Sequence, residues 1–203
     1  MPRVYSIDGI TPVVDPSAYV HPSAVLIGDV IVGARAYIGP CATLRGDFGR
    51  IVVEEGANVQ DTCMLHGFPG KDTVVGAEST IGHGAVLHGC VVRRGALVGM
   101  NCVVNDNAEV GEDAVVAALA FVKAEAAIPP RSLAVGIQAK VVRPLSAEEL
   151  RWKKDNMQLY QQLAERSATT MKQVEALTAP EPGRPRIQIP GSVPLSELKK
   201  GHG

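Results

Sequence analysis

Aliphatic side chains recur about every six residues through most of this chain. The series begins at Val20, resumes with the same spacing after short interruptions at Val53, Val75 and Val92, and ends at Ile128. It amounts to eighteen units of about six residues, and in most units a small residue follows the aliphatic one by four positions. A period of six cannot keep one face of an α-helix apolar, because an α-helix has 3.6 residues per turn. The pattern therefore excludes a helical assignment here.

A six-residue repeat is typical of a parallel β-helix, in which each unit is one short strand and a corner. Three units close one triangular coil, so eighteen units predict about six coils. The aliphatic residue points inward and the small residue fills the corner. Neighbouring coils then pair at the usual strand spacing of about 4.8 Å. We expect residues 1–19 to be a lead-in and residues 20–145 to form the β-helix.

The period changes at Ser146. Ser146 and Glu149 have the spacing of a capping box, which marks the start of a helix. Apolar residues then recur at helical spacing, which predicts an amphipathic C-terminal α-helix over residues 146–177. The remaining residues, 178–203, contain five prolines, and we expect them to be extended or partly disordered.

Composition narrows the class of function. The net charge of -1 argues against a nucleic-acid partner, because the chain has no excess of basic residues to neutralise phosphates. Neither a membrane span nor a signal peptide is indicated, since no apolar run is long enough. The four cysteines form no CxxC pair and are expected to be reduced thiols, which favours a cytoplasmic protein.

The repeat also places polar side chains in space. Successive six-residue units are assigned to the three faces in turn, starting at Val20. This assignment puts Leu44, Leu65 and Leu87 on the second face of successive coils. The residue after each of these leucines then lies outside that face, so that Arg45, His66 and His88 form one column. His83 follows Ile81 on the first face and points elsewhere. His66 and His88 could share a metal ion, whereas His83 could join them only from another subunit.

A three-fold oligomer brings the three histidines together. If three triangular β-helices pack side by side around a three-fold axis that is parallel to their own long axes, the first face of one chain meets the second face of the next. His83 would then complete a site with His66 and His88 of its neighbour. Three histidines and an open fourth position are typical of a catalytic zinc site, and Fe²⁺ or Co²⁺ suit the same ligands. A single surface histidine is usually just solvated, but two in one column with a third facing a neighbour indicate a site.

Polar residues around these histidines are the other candidates. Asp61 would stack on His83, and Gln60 could hydrogen-bond a metal-bound hydroxide or a substrate oxygen. Arg45 with Asp47 would face them across the interface and hold the trimer together. The alternative is that Arg45 and Asp47 are ordinary surface charges.

The set Arg45-Gly46-Asp47, Gln60-Asp61, His66, His83 and His88 resembles the hallmark of the γ-class carbonic anhydrase family. Longer stretches, such as LRGDFGRIVV and NVQDTCMLHGFP, resemble the PaaY-like and CaiE-like branches of that family. The resemblance implies an all-β, left-handed parallel β-helix with a C-terminal helix, and a homotrimer with zinc at its interfaces. The resemblance to PaaY-like proteins implies a thioesterase that acts on hydroxyphenylacetyl-type acyl-CoA in phenylacetate degradation. CaiE-like proteins are associated with carnitine metabolism.

The chain departs from the archetypal anhydrase where that enzyme moves protons. Phe48 stands where the family has a glutamate after its Arg-x-Asp motif, and the loop Gly67–Asp72 contains no glutamate. Fast hydration of carbon dioxide needs a proton shuttle, so we favour a hydrolase that acts through metal-bound hydroxide. Phe48, Phe68 and Tyr37 are candidates for contact with an aromatic acyl group, although Phe48 occupies a core position of the repeat. The alternatives are a carbonic anhydrase, a CoA-dependent acyltransferase and a non-catalytic accessory protein.

Overall fold

The computed structural model describes residues 2–189, and most of these residues form a left-handed parallel β-helix. Each turn contributes one strand segment to each of three faces. On every face the successive segments pair in parallel, which gives seven turns. The predicted fold class is thus confirmed.

The strands fall into three groups, one for each face. The first face contains β3 (Tyr19–Val20), β5 (Tyr37–Ile38), β7 (Asn58–Val59), β10 (Thr80–Ile81), β13 (Leu97–Val98), β16 (Val115–Val116) and β19 (Ser132–Val135). The second contains β1 (Arg3–Tyr5), β8 (Met64–His66), β11 (Val86–His88), β14 (Val103–Val104) and β17 (Phe121–Val122). The third contains β2 (Val13–Val14), β9 (Thr73–Val75), β12 (Val91–Val92), β15 (Glu109–Val110) and β18 (Ala127–Ile128). Two longer strands, β4 (Val25–Val32) and β6 (Thr43–Val53), run from the second face onto the third, and β20 (Lys140–Pro144) pairs antiparallel with β19.

The core consists of the aliphatic and small residues of the repeat. Leu44, Leu65 and Leu87 are completely buried and lie in register on the second face. Alanine and cysteine fill the corners, as Ala42, Cys63 and Ala85 do beside those leucines. Each fully buried leucine or valine contributes roughly 1.5–3 kcal/mol through removal of apolar surface from water.

The structure has one turn more than the six that the repeat predicts. Residues 3–19 lie within the segment that we expected to be a lead-in, but they form this first turn together with Val20. β1 and β2 pair in parallel with β4, and β3 pairs with β5. The aliphatic spacing in this segment is irregular, so the repeat did not reveal it.

The largest interruptions of the repeat fall at the same corner in two successive turns. One lies inside β6, between Leu44 and Ile51, and the other is the loop between β8 and β9. Both widen the corner at which the second face meets the third. This is the corner that His66 and His88 approach.

The C-terminal helix, α1 (Ala147–Thr170), begins at the predicted capping box, with Ser146 as its N-cap. It lies on the first face, where its residues contact β3, β5 and β7. It ends earlier than the predicted residue 177, beside the first turn, where the Tyr19 hydroxyl contacts the Met171 sulfur at 2.9 Å. Beyond that point Val174 and Leu177 are exposed, so further helical turns would bury no apolar surface.

No helix or strand occurs in residues 171–189, and part of the predicted tail, residues 190–203, lies outside the described residues. Within the described part of the chain, no helix is long and apolar enough to cross a membrane.

Candidate metal centre

His66 and His88 are direct neighbours across two paired strands. The register joins β8 to β11 with Leu65 opposite Leu87 and His66 opposite His88. Because successive side chains alternate, the leucines fill the core and both imidazoles stand on the outer side. His66 Nδ1 lies 3.1 Å from His88 Nε2, so one nitrogen of each ring faces the other.

The outer nitrogen of each ring contacts a carboxylate. His66 Nε2 lies 3.0 Å from Asp47 Oδ1, and His88 Nδ1 makes a short contact with Asp106 Oδ1. A carboxylate accepts a hydrogen bond from the N–H of a neutral imidazole, which leaves the other nitrogen with its lone pair. With both tautomers set in this way, both lone pairs would point into the same space, an arrangement that a cation would satisfy. The residues therefore fit a metal ion.

Asp47 is itself held by an ion pair. The Arg45 guanidinium donates to Asp47 Oδ2 at 2.7 Å, while Oδ1 faces His66. Partial burial would raise the pKa of Asp47, but hydrogen bonds from Arg45 and His66 outweigh that effect and lower it. Asp47 thus remains a carboxylate that can orient His66.

A buried threonine ties the backbones of the two histidine strands together. Thr73 is completely buried, and its hydroxyl donates to the carbonyl of His66 at 2.6 Å. The same oxygen accepts the backbone N–H of Gly89 at 2.9 Å. Gly89 follows His88 with a positive φ of 54°, and a Cβ there would lie 2.5 Å from the Phe68 ring. Glycine at this position lets Phe68 approach His88.

His83 lies at the corner where the first face meets the second. Its Nδ1 is 3.0 Å from Asp61 Oδ2, and its side chain is 44% exposed. Its backbone N–H donates to Gln60 Oε1 at 3.2 Å, while Gln60 Nε2 donates to Asn58 Oδ1 at 3.1 Å. Gln60 is thus buried and held in place beside His83.

His83 does not join the other two histidines within one chain. Among residues 2–189, no group of three or more His, Cys, Asp or Glu side chains is placed to hold a metal ion. The structure brings His66 and His88 together with Asp47 and Arg45, and it brings His83 together with Asp61 and Gln60. Metal binding and the roles predicted for these seven residues stay predictions.

Two phenylalanines flank the histidine pair. The Phe48 ring lies 5.5 Å from the His66 ring between centroids, and Phe68 stacks on His88 at 6.2 Å. Phe48 is 62% exposed, so the alternative that it is a core residue is wrong: it lies in the interruption within β6, where the repeat does not hold. Tyr37 is not beside the histidine pair but under α1, stacked on Tyr19 at 5.6 Å.

Sequence reasoning missed Asp106 and Thr73. The register pairs Leu87 with Val104, so column counting from His88 leads to Asn105, and Asp106 is the residue after it. Thr73 lies at the end of the loop that interrupts the repeat. No periodic signal could have placed it.

Comparison with known proteins shows close relatives. The chain is 56% identical to the carnitine operon protein CaiE of Citrobacter koseri, over 91% of this chain and 93% of the relative. It is 53% identical to the CaiE protein of Escherichia coli O157:H7, over 91% of this chain and 94% of the relative. No family model matches the chain.

Two solved structures share the fold at lower identity. A hexapeptide transferase family protein from Anaplasma phagocytophilum has a TM-score of 0.78 and 34% identity, covering 80% of this chain and 96% of that one. A Bacillus cereus protein described as an acetyltransferase has a TM-score of 0.82 and 31% identity, covering 84% of this chain and 99% of that one.

Proposed function

This chain belongs to the CaiE family of carnitine operon proteins, and from that premise we propose that it is a metal-dependent hydrolase of acyl-CoA thioesters. One observation carries the proposal. His66 and His88 face each other at 3.1 Å while Asp47 and Asp106 hold their outer nitrogens. Carboxylates in that position orient metal-ligating histidines and raise their basicity.

The second face supports a trimer that would complete the site. Outward side chains of four strands in register form an apolar ladder, consisting of Met64, Val86, Val103 and Phe121. Met100 and Leu119, at the corner that also holds His83, are 53% and 65% exposed. Apolar surface of this kind indicates a contact between proteins. Closed three-fold packing would cover it and bring His83 of one subunit to the histidine pair of the next.

The chain's residues have distinct tasks in this proposal. His66, His88 and His83 from the neighbouring subunit would hold the metal, with Zn²⁺ as the default and Fe²⁺ or Co²⁺ as alternatives. A bound metal of this kind lowers the pKa of water to about 7 and polarises a carbonyl. Asp47, held by Arg45, and Asp106 fix the two imidazoles.

The remaining side chains favour thioester hydrolysis over rapid hydration of carbon dioxide. Phe48 and Phe68 present apolar rings beside the histidine pair, which suits an acyl substrate. In an anhydrase of the archetypal kind, a carboxylate would stand at the position of Phe48 and move protons. Carbonic anhydrase activity with the same ligands is the second candidate function.

The solved structures favour a third candidate. The relatives from Bacillus cereus and Anaplasma phagocytophilum are described as transferases, which fits transfer of an acyl group from CoA to an acceptor. Transfer would require an acceptor other than water and no metal. These two requirements separate it from the hydrolase.

The proposal is tested with one zinc-loaded preparation of known metal content. We expect hydrolysis of hydroxyphenylacetyl-CoA that stops when a chelator removes the metal and that His66→Ala abolishes. His21→Ala is the matched control, because His21 lies at the same corner as His83 but bonds Ser23 instead, at 2.8 Å. Hydration of carbon dioxide without thioester cleavage would favour the anhydrase. Acyl transfer that survives the chelator would favour the transferase.

A further inference from the structure

A groove of about 610 Å³ lies beside α1 on the first face and opens next to His83. Its walls are mainly apolar. They include Leu97, Val115 and Leu133 on the strands and Trp152, Asn156 and Tyr160 on α1, with Gln60 and His83 at one end. Its volume is within the range of about 300–1,000 Å³ that is typical of small-molecule sites.

The groove exists because α1 is anchored near the corner between the third and the first face, on the side of the first face away from His83. Lys153 is 4% exposed, and its ammonium donates to Asp113 Oδ1 at 2.5 Å and to the carbonyl of Gly95. Farther along the helix, Tyr160 packs on Tyr37 with ring centroids 5.7 Å apart. These contacts anchor the helix on one side and leave the space on the His83 side open within one chain. In the proposed trimer the neighbouring subunit would border this space.

The charge of the lining selects an uncharged ligand. Among the described residues that line the groove, Glu149 is the one carboxylate, and both of its oxygens accept hydrogen bonds from Arg143 at 2.8 Å. Burial raises the pKa of the Tyr160 phenol, which therefore stays neutral. A quaternary ammonium ion is attracted by the faces of aromatic rings and, more strongly, by an unpaired negative charge nearby. Here Glu149 is paired with Arg143, and Asp61, which lies outside the lining, contacts His83 at 3.0 Å.

We infer that this groove binds the uncharged, apolar acyl group of the thioester substrate. The inference rests on the proposed hydrolase function and adds to it the location and chemical class of the acyl site. An acyl group lying along Leu97, Val115 and Leu133 would place its carbonyl at the end that Gln60 and His83 form. His83 is the ligand that the neighbouring subunit would share, so the acyl group and the histidine pair would approach the metal from different subunits.

Trp152 allows binding to be observed without turnover, because it is the only tryptophan of the chain and lines the groove. The probes are stable thioethers of CoA that bear a phenethyl group or a 2-(trimethylammonio)ethyl group, with free CoA as reference. Each is titrated into the metal-loaded, full-length protein. We expect the phenethyl thioether to change Trp152 fluorescence with a half-saturation at least ten-fold lower than that of either other ligand.

Val115→Phe would fill the groove, since Val115 points outward from β16. We expect it to raise the half-saturation for the phenethyl thioether, and the KM for the matching thioester, at least ten-fold. Val91→Phe, at an equivalent outward position of β12 on the third face, should leave both within two-fold. Leu97→Phe repeats the test one turn earlier and guards against a folding defect in Val115→Phe.

The outcomes separate this inference from the proposed function. Equal binding of the trimethylammonio thioether, or unchanged binding by Val115→Phe and Leu97→Phe, would overturn the acyl site even if thioester hydrolysis is found. A groove-dependent fluorescence change without hydrolysis would retain the acyl site and reject the hydrolase.

Discussion

The two corners that carry the histidines differ in regularity. His83 lies at a corner that follows the repeat, where backbone hydrogen bonds of 2.9 Å join Gly84 to Asp61 and Asn101 to His83 in successive turns. His66 and His88 approach the other corner, where the repeat is interrupted twice. There the inserted residues bring Asp47 and Phe68 to the imidazoles.

The comparison shows what each kind of corner provides. A regular corner fixes the backbone of His83 but leaves its side chain 44% exposed, with Asp61 alongside. An interrupted corner can surround a side chain, and His66 is only 11% exposed between Asp47 and its neighbours. The two corners lie at different edges of the triangular β-helix. Neither corner therefore brings all three histidines together in one chain. A site with all three histidines would need one corner from each of two subunits.

The largest expected effect is loss of metal after a change at either corner. His83→Ala and His66→Ala should each abolish metal binding to the same extent, because both remove one of three ligands from a shared site. The measurement is metal content per chain by mass spectrometry after dialysis. His21→Ala should retain the metal. Retention by His83→Ala near the wild-type level would show that the regular corner takes no part.

An intermediate effect is expected from the carboxylates of the interrupted corner. Asp47→Asn and Asp106→Asn should each weaken zinc affinity by about 10–100-fold, because such partners orient the ligand rings. Competition with a chromogenic chelator measures the change. Asp29→Asn is the control, since Asp29 pairs with Arg50 at 3.0 Å at the same corner one turn earlier. Equal losses in all three variants would point to a general effect of charge.

A smaller effect, on stability, is expected from Thr73→Val. The variant removes the hydroxyl that bridges the N–H of Gly89 and the carbonyl of His66, while their direct hydrogen bond of 3.1 Å remains. The expected cost is therefore that of lost hydrogen bonds, about 0.5–1.5 kcal/mol, rather than that of unpaired buried groups. Denaturant unfolding of the metal-free protein measures the difference. Thr11→Val, at an exposed position, should change the free energy of unfolding by less than about 0.5 kcal/mol. An unchanged stability for Thr73→Val would mean that the two strands do not depend on this bridge.

The same contrast explains what could be predicted from the sequence. The six-residue period was enough to put His66 and His88 in one column and Asp61 beside His83, because regular turns place residues by counting alone. The first turn escaped detection, since β1 and β2 do not follow that period. The length of α1 was overestimated, because apolar spacing continues to Leu177 although the solenoid surface beneath the helix ends near Tyr19.

The interrupted corner was predicted least well. Extending the period through an insertion offered a core position for Phe48, and the structure places this side chain outside. Thr73 and the Phe68 contact depend on how the loop between β8 and β9 folds back, which periodicity does not specify. Asp106 was missed for another reason: the turn after His88 is one residue shorter than three repeat units, so column counting leads to Asn105.

The central claim is that each metal site takes His83 from one subunit and His66 and His88 from another. The most direct test is to co-express a His83→Ala chain with a His66→Ala/His88→Ala chain and to measure the metal bound to purified mixed trimers. Neither variant should bind metal alone, and the mixture should regain it, because the interface between unlike chains restores all three ligands. Mixed trimers that remain free of metal would contradict the account.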